Sequence, residues 1–433
     1  MSETIYADAS KQFFVHMITR DISLADCILD LVDNSIDGAR RVLNAEKKGV
    51  EDLSGFEITI GASGKQFSIT DNCGGMSSEL AINKAFHFGR PPGTEATENG
   101  IGLYGIGMKR ALFKIGEKIT VRSVTKDESF GIAIGVPEWE KLKEWTFQLD
   151  RIERNGFSPG TKIVVDSLCA PTARDIADSS FLSLLHKFLS RDYSFFLEQG
   201  LKIVLNDTPV VGHGYTLRSS DEIQPINYSF EEDGVRVDIV AGMAVVPDDN
   251  DLPSIDVSKM DYYGWFVVCN DRVVIAADKS TKTVWGNDTF QTWHPQYNGF
   301  MGIAFFSSED PDKLPWSTTK RDVDQLNPAY RRAVAKMKTA TSEYIQYSND
   351  RKRSLDKAKE AELKAVSVNV RTLPTAVKMS VPRYTPVDDS IQVSFPAKKS
   401  DVKRAGKALG SESMPATKVG AKAFEYFLKN EVD

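Results

Sequence analysis

Asp30-Leu31-Val32-Asp33-Asn34-Ser35-Ile36-Asp37-Gly38-Ala39 is the stretch on which the reading of this 433-residue chain turns. Leu24, Ile28, Leu31 and Val32 recur at helical spacing and place it on a helix. On that helix positions 30, 33, 34 and 37 share a face, so three carboxylates and one carboxamide project together while Leu31 and Val32 point away. Acids crowded this way repel unless a cation or a buried partner meets them. A hard cation such as Mg²⁺, held through oxygen and sharing substrate phosphates as further ligands, satisfies the pattern. An exposed acidic stripe shows the same spacing.

Two further elements follow. Phe56, Ile58 and Ile60 alternate as in a strand, and Phe67 and Ile69 begin a second that ends on Asp71-Asn72-Cys73-Gly74-Gly75. A carboxylate at a strand end accepts from an exocyclic amine, and glycine beside it lets backbone approach a flat ligand. An Asp-Asn-x-Gly turn with no ligand reads the same way. Next comes Gly100-Ile101-Gly102-Leu103-Tyr104-Gly105-Ile106-Gly107-Met108-Lys109, running straight into a helical pattern. Free N–H groups at a helix start cradle phosphates, and Lys109 adds a point charge. A flexible glycine loop is the plainer alternative. Lys109 is not followed by Ser or Thr, so this is not the GxxxxGK[ST] loop.

Composition bounds the rest. The length suggests roughly two to three domains of about 150 residues. With 41% apolar and 26% charged residues the chain is an ordinary globular one. No apolar run approaches the length of a membrane span, and the start MSETIYADAS has neither a basic nor an apolar signal region. Cys27, Cys73, Cys169 and Cys269 form no CxxC pair and the five histidines have no ligand spacing, so a cytoplasmic protein without a zinc site is expected. From Arg351 onward 17 basic residues face 10 acidic ones, a segment of +7 on a chain whose net charge is −6. That segment suits nucleic acid or an acidic partner, or a solvated helix and linker. The acidic remainder argues against broad coating of DNA.

The three elements, in this order within about 80 residues and followed by Pro159-Gly160-Thr161-Lys162 before a strand, resemble the GHKL (Bergerat-fold) ATPase superfamily. Its members include DNA gyrase B, the ninety-kilodalton heat-shock chaperone, histidine kinases, MutL and MORC. Ile101-Gly102-Leu103-Tyr104-Gly105-Ile106-Gly107-Met108-Lys109 is most similar to MORC-type proteins. The resemblance covers roughly residues 10–170. It implies an α+β chain, with a Bergerat α/β sandwich over 1–175 that includes an N-terminal arm and a transducer-like α/β domain over 176–325. Beyond these the residue pattern gives a long helix over 326–365, clearest at Pro328–Leu363, and over 366–433 a linker broken by Pro374, Pro382, Pro386 and Pro396 with a short C-terminal helix at Ala421–Leu428.

By the same resemblance, Asn34 coordinates Mg²⁺ and bridges it to ATP. Asp37 contributes to the ATP site, and Asp71 binds the adenine amine with Gly75 giving close approach and Met76 packing on the ring. Gly102, Tyr104, Gly105, Ile106, Gly107, Met108 and Lys109 surround the phosphates, Thr161 supports Asp71, and 83–100 is a lid. Asp30 stands where the family usually has the Glu that serves as general base. One methylene shorter, its carboxylate falls roughly 1.5 Å short, so hydrolysis is expected to be slow. Cys73 replaces a usual glycine. In Leu314-Pro315-Trp316-Ser317-Thr318-Thr319-Lys320, ahead of the long helix, Lys320 is the candidate switch lysine that reaches the γ-phosphate.

The expected protein is an ATP-gated homodimeric clamp whose arm, Met1–Arg20 with Tyr6, reaches the partner chain. DNA is its candidate load, genome defence a candidate role, and a separate effector protein a candidate partner. The alternatives are a nucleotide-binding scaffold or chaperone-like module with little turnover, and a histidine-kinase-like protein built around His16.

Overall fold

The computed structural model describes residues 10–47, 52–89, 98–102, 105–244, 262–287, 290–382 and 393–432. The chain is a mixed α/β protein of two compact units, residues 1–384 and 385–433. In chain order the first part runs α1 (Lys11–Arg20), α2 (Leu24–Ala45), β1 (Glu57–Ser63), β2 (Gln66–Asp71), α3 (Ser78–Leu80), α4 (Gly107–Ile115), β3 (Gly116–Val124), β4 (Ser129–Gly135), α5 (Val136–Lys141), β5 (Asp150–Arg151), β6 (Gly160–Leu168) and α6 (Ala170–Ala177). It continues through α7 (Ser179–Asp192), α8 (Ser194–Glu198), β7 (Lys202–Leu205), β8 (Thr208–Pro209), β9 (Thr216–Ser219), β10 (Ile226–Glu232), β11 (Val235–Met243), β12 (Gly264–Cys269), β13 (Arg272–Asp278), β14 (Phe300–Ser307), α9 (Pro328–Arg351), α10 (Leu355–Lys364) and β15 (Val366–Asn369).

The first sheet has the order β5-β4-β3-β6-β2-β1-β7-β8, antiparallel except where β7 runs parallel to β1. Strand alternation buries Ile58 and Ile60 of β1, Phe67 and Ile69 of β2, Ile119 and Val121 of β3 and Ile163 and Val165 of β6. Against this face lie α2 and α4, side by side. Helix α2 starts where the Ser23 hydroxyl accepts the Asp26 N–H at 3.1 Å, a cap that stabilises a helix start by about 1 kcal/mol. It buries Cys27, Ile28, Leu31, Val32, Ile36 and Ala39, so its polar residues are carried into the interior with them.

The second sheet has the order β10-β11-β14-β12-β13, with β12 parallel to β14. All six residues of β12, Gly-Trp-Phe-Val-Val-Cys, are buried, as expected of a strand covered on both faces. Helix α9 covers one face, where Trp265 Nε1 donates to Thr341 Oγ1 at 3.0 Å. On the other face Phe266, Val268 and Phe305 pack with Phe195, Tyr215 and Leu217. Asn270 and Asp271 join β12 to β13 with φ of +45° and +68°, the left-handed pair of a two-residue hairpin turn.

Several elements depart from what the pattern predicts. The helix expected over Pro328–Leu363 is two, because the chain turns back at 352–354 so that Arg351 and Glu362 meet in a buried bidentate ion pair at 2.6 and 3.0 Å. Residues 366–369, expected as linker, form β15 against β9, and Ala376 and Ser380 bridge back to Asn227 and Gln224. Strand β7, in a stretch read with the second region, belongs to the first sheet. Among its described residues the second unit has, by itself, two α-helices, α11 (Lys399–Ala408) and α12 (Ala416–Phe427), the latter continued by a short helical turn over Leu428–Val432. The closing helix thus starts five residues earlier than Ala421, and α11 was not read in the sequence.

Residues 1–9 of the expected arm, Tyr6 among them, lie outside the described residues. The rest forms α1, which is held on its own chain. Lys11 Nζ donates to the carbonyls of Trp139 (2.9 Å) and Glu144 (2.6 Å), and Phe14 meets Phe88 and Trp145 edge to face.

Candidate functional site

The acids of α2 are each met by a partner from elsewhere in the chain. Asp30 Oδ2 accepts from Arg110 of α4 at 2.6 Å, and its Oδ1 lies 3.4 Å from Lys320 Nζ. Asp33, 1% exposed, accepts from Lys320 Nζ (2.6 Å), Arg272 Nε of β13 (3.1 Å) and the Tyr193 hydroxyl (2.7 Å). Burial alone would raise Asp33, but the Lys320 ammonium and the Arg272 guanidinium outweigh it and hold the carboxyl below its ordinary range. For Lys320 burial would lower the ammonium, and Asp33 and Asp30 raise it instead. Among the described residues Asp37 meets no cation: its two oxygens accept the N–H groups of Ile101 and Gly102, both at 2.7 Å. The cation that the acidic face called for is therefore supplied largely by basic side chains, and Asn34 is the member left over. Its Nδ2 is buried without a hydrogen-bond partner.

Next to Asn34 on α2, Ser35 donates to Asp71 Oδ2 at 2.7 Å. Asp71 Oδ1 accepts the N–H groups of Cys73 (2.9 Å) and Thr161 (3.1 Å). Burial pushes the Asp71 carboxyl up, against the pull of these three donors. Gly75 follows with φ of +69°, and a Cβ there would sit 2.2 Å from the carbonyl of Val124, so only glycine fits between β3 and the strand end. Met76 is fixed by the buried Ser123 hydroxyl, which accepts its N–H (2.7 Å) and donates to its carbonyl (3.0 Å).

The glycine-rich segment leads into α4. A Cβ on Gly107 would be 3.1 Å from Asp30 Oδ2, which places the start of this helix directly against the carboxylate. Lys109 is buried, and its ammonium donates to the carbonyls of Ala85 (2.8 Å) and Gly105. Burial brings it down to about 7.

These residues line one cavity. Asp30, Asn34, Asp37, Asp71, Gly75, Met76, Gly102, Gly105, Ile106, Gly107, Met108, Lys109, Thr161 and Lys320 all border it. Tyr104 and residues 90–97 of the expected lid lie outside the described residues. Helix α2 orders the cavity like a ruler. Asp30 faces Gly107, Arg110 and Lys320, Ser35 holds Asp71, and Gly38 lies against Cys73, a span of about 12 Å at the rise of an α-helix. One end is thus apolar with an acid floor, walled by Ile69, Ile163 and Leu80, and the other is lined by Lys109, Arg110 and Lys320. Lys320 holds φ of +54°, a conformation that costs a non-glycine residue of order 1–2 kcal/mol and that aims its ammonium at the Asp30–Asp33 pair.

Sequence reasoning missed Ser35, Arg41, Lys84, Arg110 and Thr318, which also border the cavity. Ser35 and Arg41 were legible in principle, since they sit on the same helix as Asn34. Among the described residues no group of three His, Cys, Asp or Glu is placed to hold a metal. The donor set that suits a hard cation is the single side-chain oxygen of Asn34 with oxygens a phosphate ligand brings, which fits Mg²⁺. Among the described residues no helix is long and apolar enough to cross a membrane.

No curated protein matches the chain. Residues 22–155 match the family model described as histidine kinase-, DNA gyrase B-, and HSP90-like ATPase. The matched segment spans α2, both ends of the cavity, and Lys109 and Arg110. Over residues 22–155, then, the chain is similar to GHKL-type ATPase domains.

Proposed function

We propose that the chain binds Mg·ATP in this cavity, hydrolyses it slowly, and uses Lys320 to report the nucleotide to its second α/β half, which acts as a transducer. The observation that carries this is the polarity of a single cavity along α2. A purine suits the apolar end, where Asp71 keeps a lone pair for an exocyclic amine and Gly75 leaves room for the ring. A triphosphate suits the other, where the N-terminus of α4 and the Lys109 and Lys320 ammoniums gather. Asn34 would hold Mg²⁺, which when bound neutralises phosphate charge.

Lys320 rests on Asp33 and Asp30, within the cavity and on a loop that belongs to the second half. A γ-phosphate competes for that ammonium. Moving it uncovers Asp33, which is tied through Arg272 to Asp192, and Asp192 in turn binds Arg191 and Arg321. Charge change at the phosphate is therefore passed to β13 and α7 by groups in direct contact. Asp30 is the candidate base for the attacking water. Because Arg110 holds one of its oxygens and the Lys320 ammonium lies 3.4 Å from the other, a water reaches it in competition with two cations, and this supports slow turnover. The same pairing favours a second reading, a nucleotide-binding scaffold without turnover.

The ATP-gated homodimeric clamp, MORC-like and acting on DNA with a separate effector, is the finer form of this proposal. It rests on the likeness of residues 101–109 to MORC-type proteins and on the basic segment after Arg351. Steady-state hydrolysis by wild type and Asp30→Asn separates the readings. Turnover lost in the variant with nucleotide binding retained supports the enzyme. Equal rates reject Asp30 as the base, and no turnover in wild type supports the scaffold.

A further inference from the structure

The start of the glycine-rich segment, Asn99-Gly100-Ile101-Gly102, has one buried apolar anchor, Ile101, and its backbone is held from two directions. From α2, Asp37 takes the N–H groups of Ile101 and Gly102, and the Arg40 guanidinium donates to the Asn99 carbonyl. From the second half, Asn270 Nδ2 donates to the Gly100 carbonyl at 3.2 Å, and the Glu309 carbonyl accepts the Asn99 N–H at 3.0 Å. Arg40, 2% exposed, joins the two sides: its Nη2 donates to the Asn270 carbonyl and to Asp271 Oδ2, each at 3.2 Å.

The hairpin turn that supplies these groups is itself braced. Asn270 Nδ2 also donates to the Ser308 carbonyl (3.0 Å) and its Oδ1 accepts the Ser308 N–H (3.0 Å). Asp271 accepts from Gln199 Nε2 (3.0 Å) and from Arg371, whose guanidinium lies over Phe195 and Phe305. A turn between two strands needs only left-handed tolerance, which Asn and Asp provide. Here both side chains are instead spent on reaching back to α2 and to the glycine segment.

We infer that Arg40 and Asn270 are positioning residues for the phosphate end of the cavity. The β12–β13 turn sets where Gly100–Gly102 stand, and through them how tightly a polyphosphate is held, with no effect on the base end. The inference rests on the nucleotide reading above. The base end has its own supports, since Asp71 is fixed by Ser35, Cys73 and Thr161, and among the described residues none of these shares a hydrogen bond with the turn.

Asn270→Asp tests this in the full chain. It keeps the acceptor for Ser308 N–H and the tolerance for positive φ, but sets a carboxylate oxygen against the carbonyls of Gly100 and Ser308. Titration calorimetry with Mg·ATP and with adenosine, and amide exchange across 98–102, are the readouts. The expected result is about tenfold weaker Mg·ATP binding, adenosine affinity within twofold of wild type, and faster exchange at Ile101 and Gly102. Asn270→Gly, which also suits φ of +45°, gives the same split if the aspartate variant does not fold. Equal weakening of both ligands, or of neither, overturns the inference while leaving the nucleotide reading intact. A wild-type chain that binds neither ligand overturns both.

Discussion

Replacing Lys320 by methionine keeps the length of the side chain and removes its charge from the centre of a buried network. Asp33 loses a donor at 2.6 Å and Asp30 one at 3.4 Å. Breaking a buried ion pair from one side costs about 3–5 kcal/mol. Asp33 keeps Arg272 and the Tyr193 hydroxyl, and Asp30 keeps Arg110, so the lower end, about 3 kcal/mol, is expected. The pH dependence carries a sign. Asp33 is held below its ordinary value in the native state, so its stabilising share is present above the unfolded carboxylate pKa of about 4 and is lost as pH falls through the lower native value. In the variant that loss begins at higher pH, and the gap between the two proteins narrows on acidification below about pH 4. Urea unfolding at pH 7 and at acid pH measures both. At position 320 itself φ is +54°, so Lys320→Gly is expected to be about 1 kcal/mol more stable than Lys320→Ala. If Lys320 clamps the γ-phosphate, kcat in Lys320→Met falls about 10²–10³-fold, the scale for removing one transition-state donor. A methionine variant as stable as wild type, with unchanged kcat, refutes the network as the link between nucleotide and second half.

Two further expectations concern the cavity. Lys109 sits near 7 rather than at the ordinary lysine value, and a bound phosphate favours its charged form, so Mg·ATP binding between about pH 7 and 9 should take up a proton and weaken as pH rises. Calorimetry in buffers of different ionisation enthalpy reads the uptake; buffer-independent heats, or uptake that survives in Lys109→Met, contradict it. Ser35→Ala removes the hydroxyl from Asp71 Oδ2 and should weaken ATP and adenosine alike, by about fivefold for a lost hydrogen bond of about 1 kcal/mol, with kcat unchanged. Unaltered adenosine affinity would show that Asp71 does not hold the base.

Much of the site is local in sequence. Asp30, Asn34 and Asp37 share a face because the helix repeats every 3.6 residues, and the strand-end Asp71 and the glycine segment carry their own punctuation. What meets the acids is not local. Arg272 and Lys320 stand 239 and 287 residues from Asp33, and nothing in the spacing of Arg-Val-Val-Ile or Thr-Thr-Lys announces a carboxylate partner. A crowded acidic face reads as a request for a metal when its basic partners are distant, and only tertiary packing distinguishes the two. The turn at 352–354 was hidden for a related reason. Lys-Arg-Ser contains neither proline nor glycine, and what ends α9 is the Arg351–Glu362 pair. Conversely, Pro374 and Pro382 made 366–382 look like linker, although one short run, Val366–Asn369, pairs with β9.

Everything proposed for this chain requires a purine nucleotide in the cavity beside α2. Calorimetric titration of the full chain with Mg·ATP, for wild type and for Asp71→Asn, tests it most directly. The substitution preserves shape but presents a donor where the exocyclic amine needs an acceptor. Saturable binding of one nucleotide per chain in wild type, weakened at least tenfold in Asp71→Asn, is the predicted result. No heat with the wild-type chain, or equal affinity in the two proteins, would contradict it.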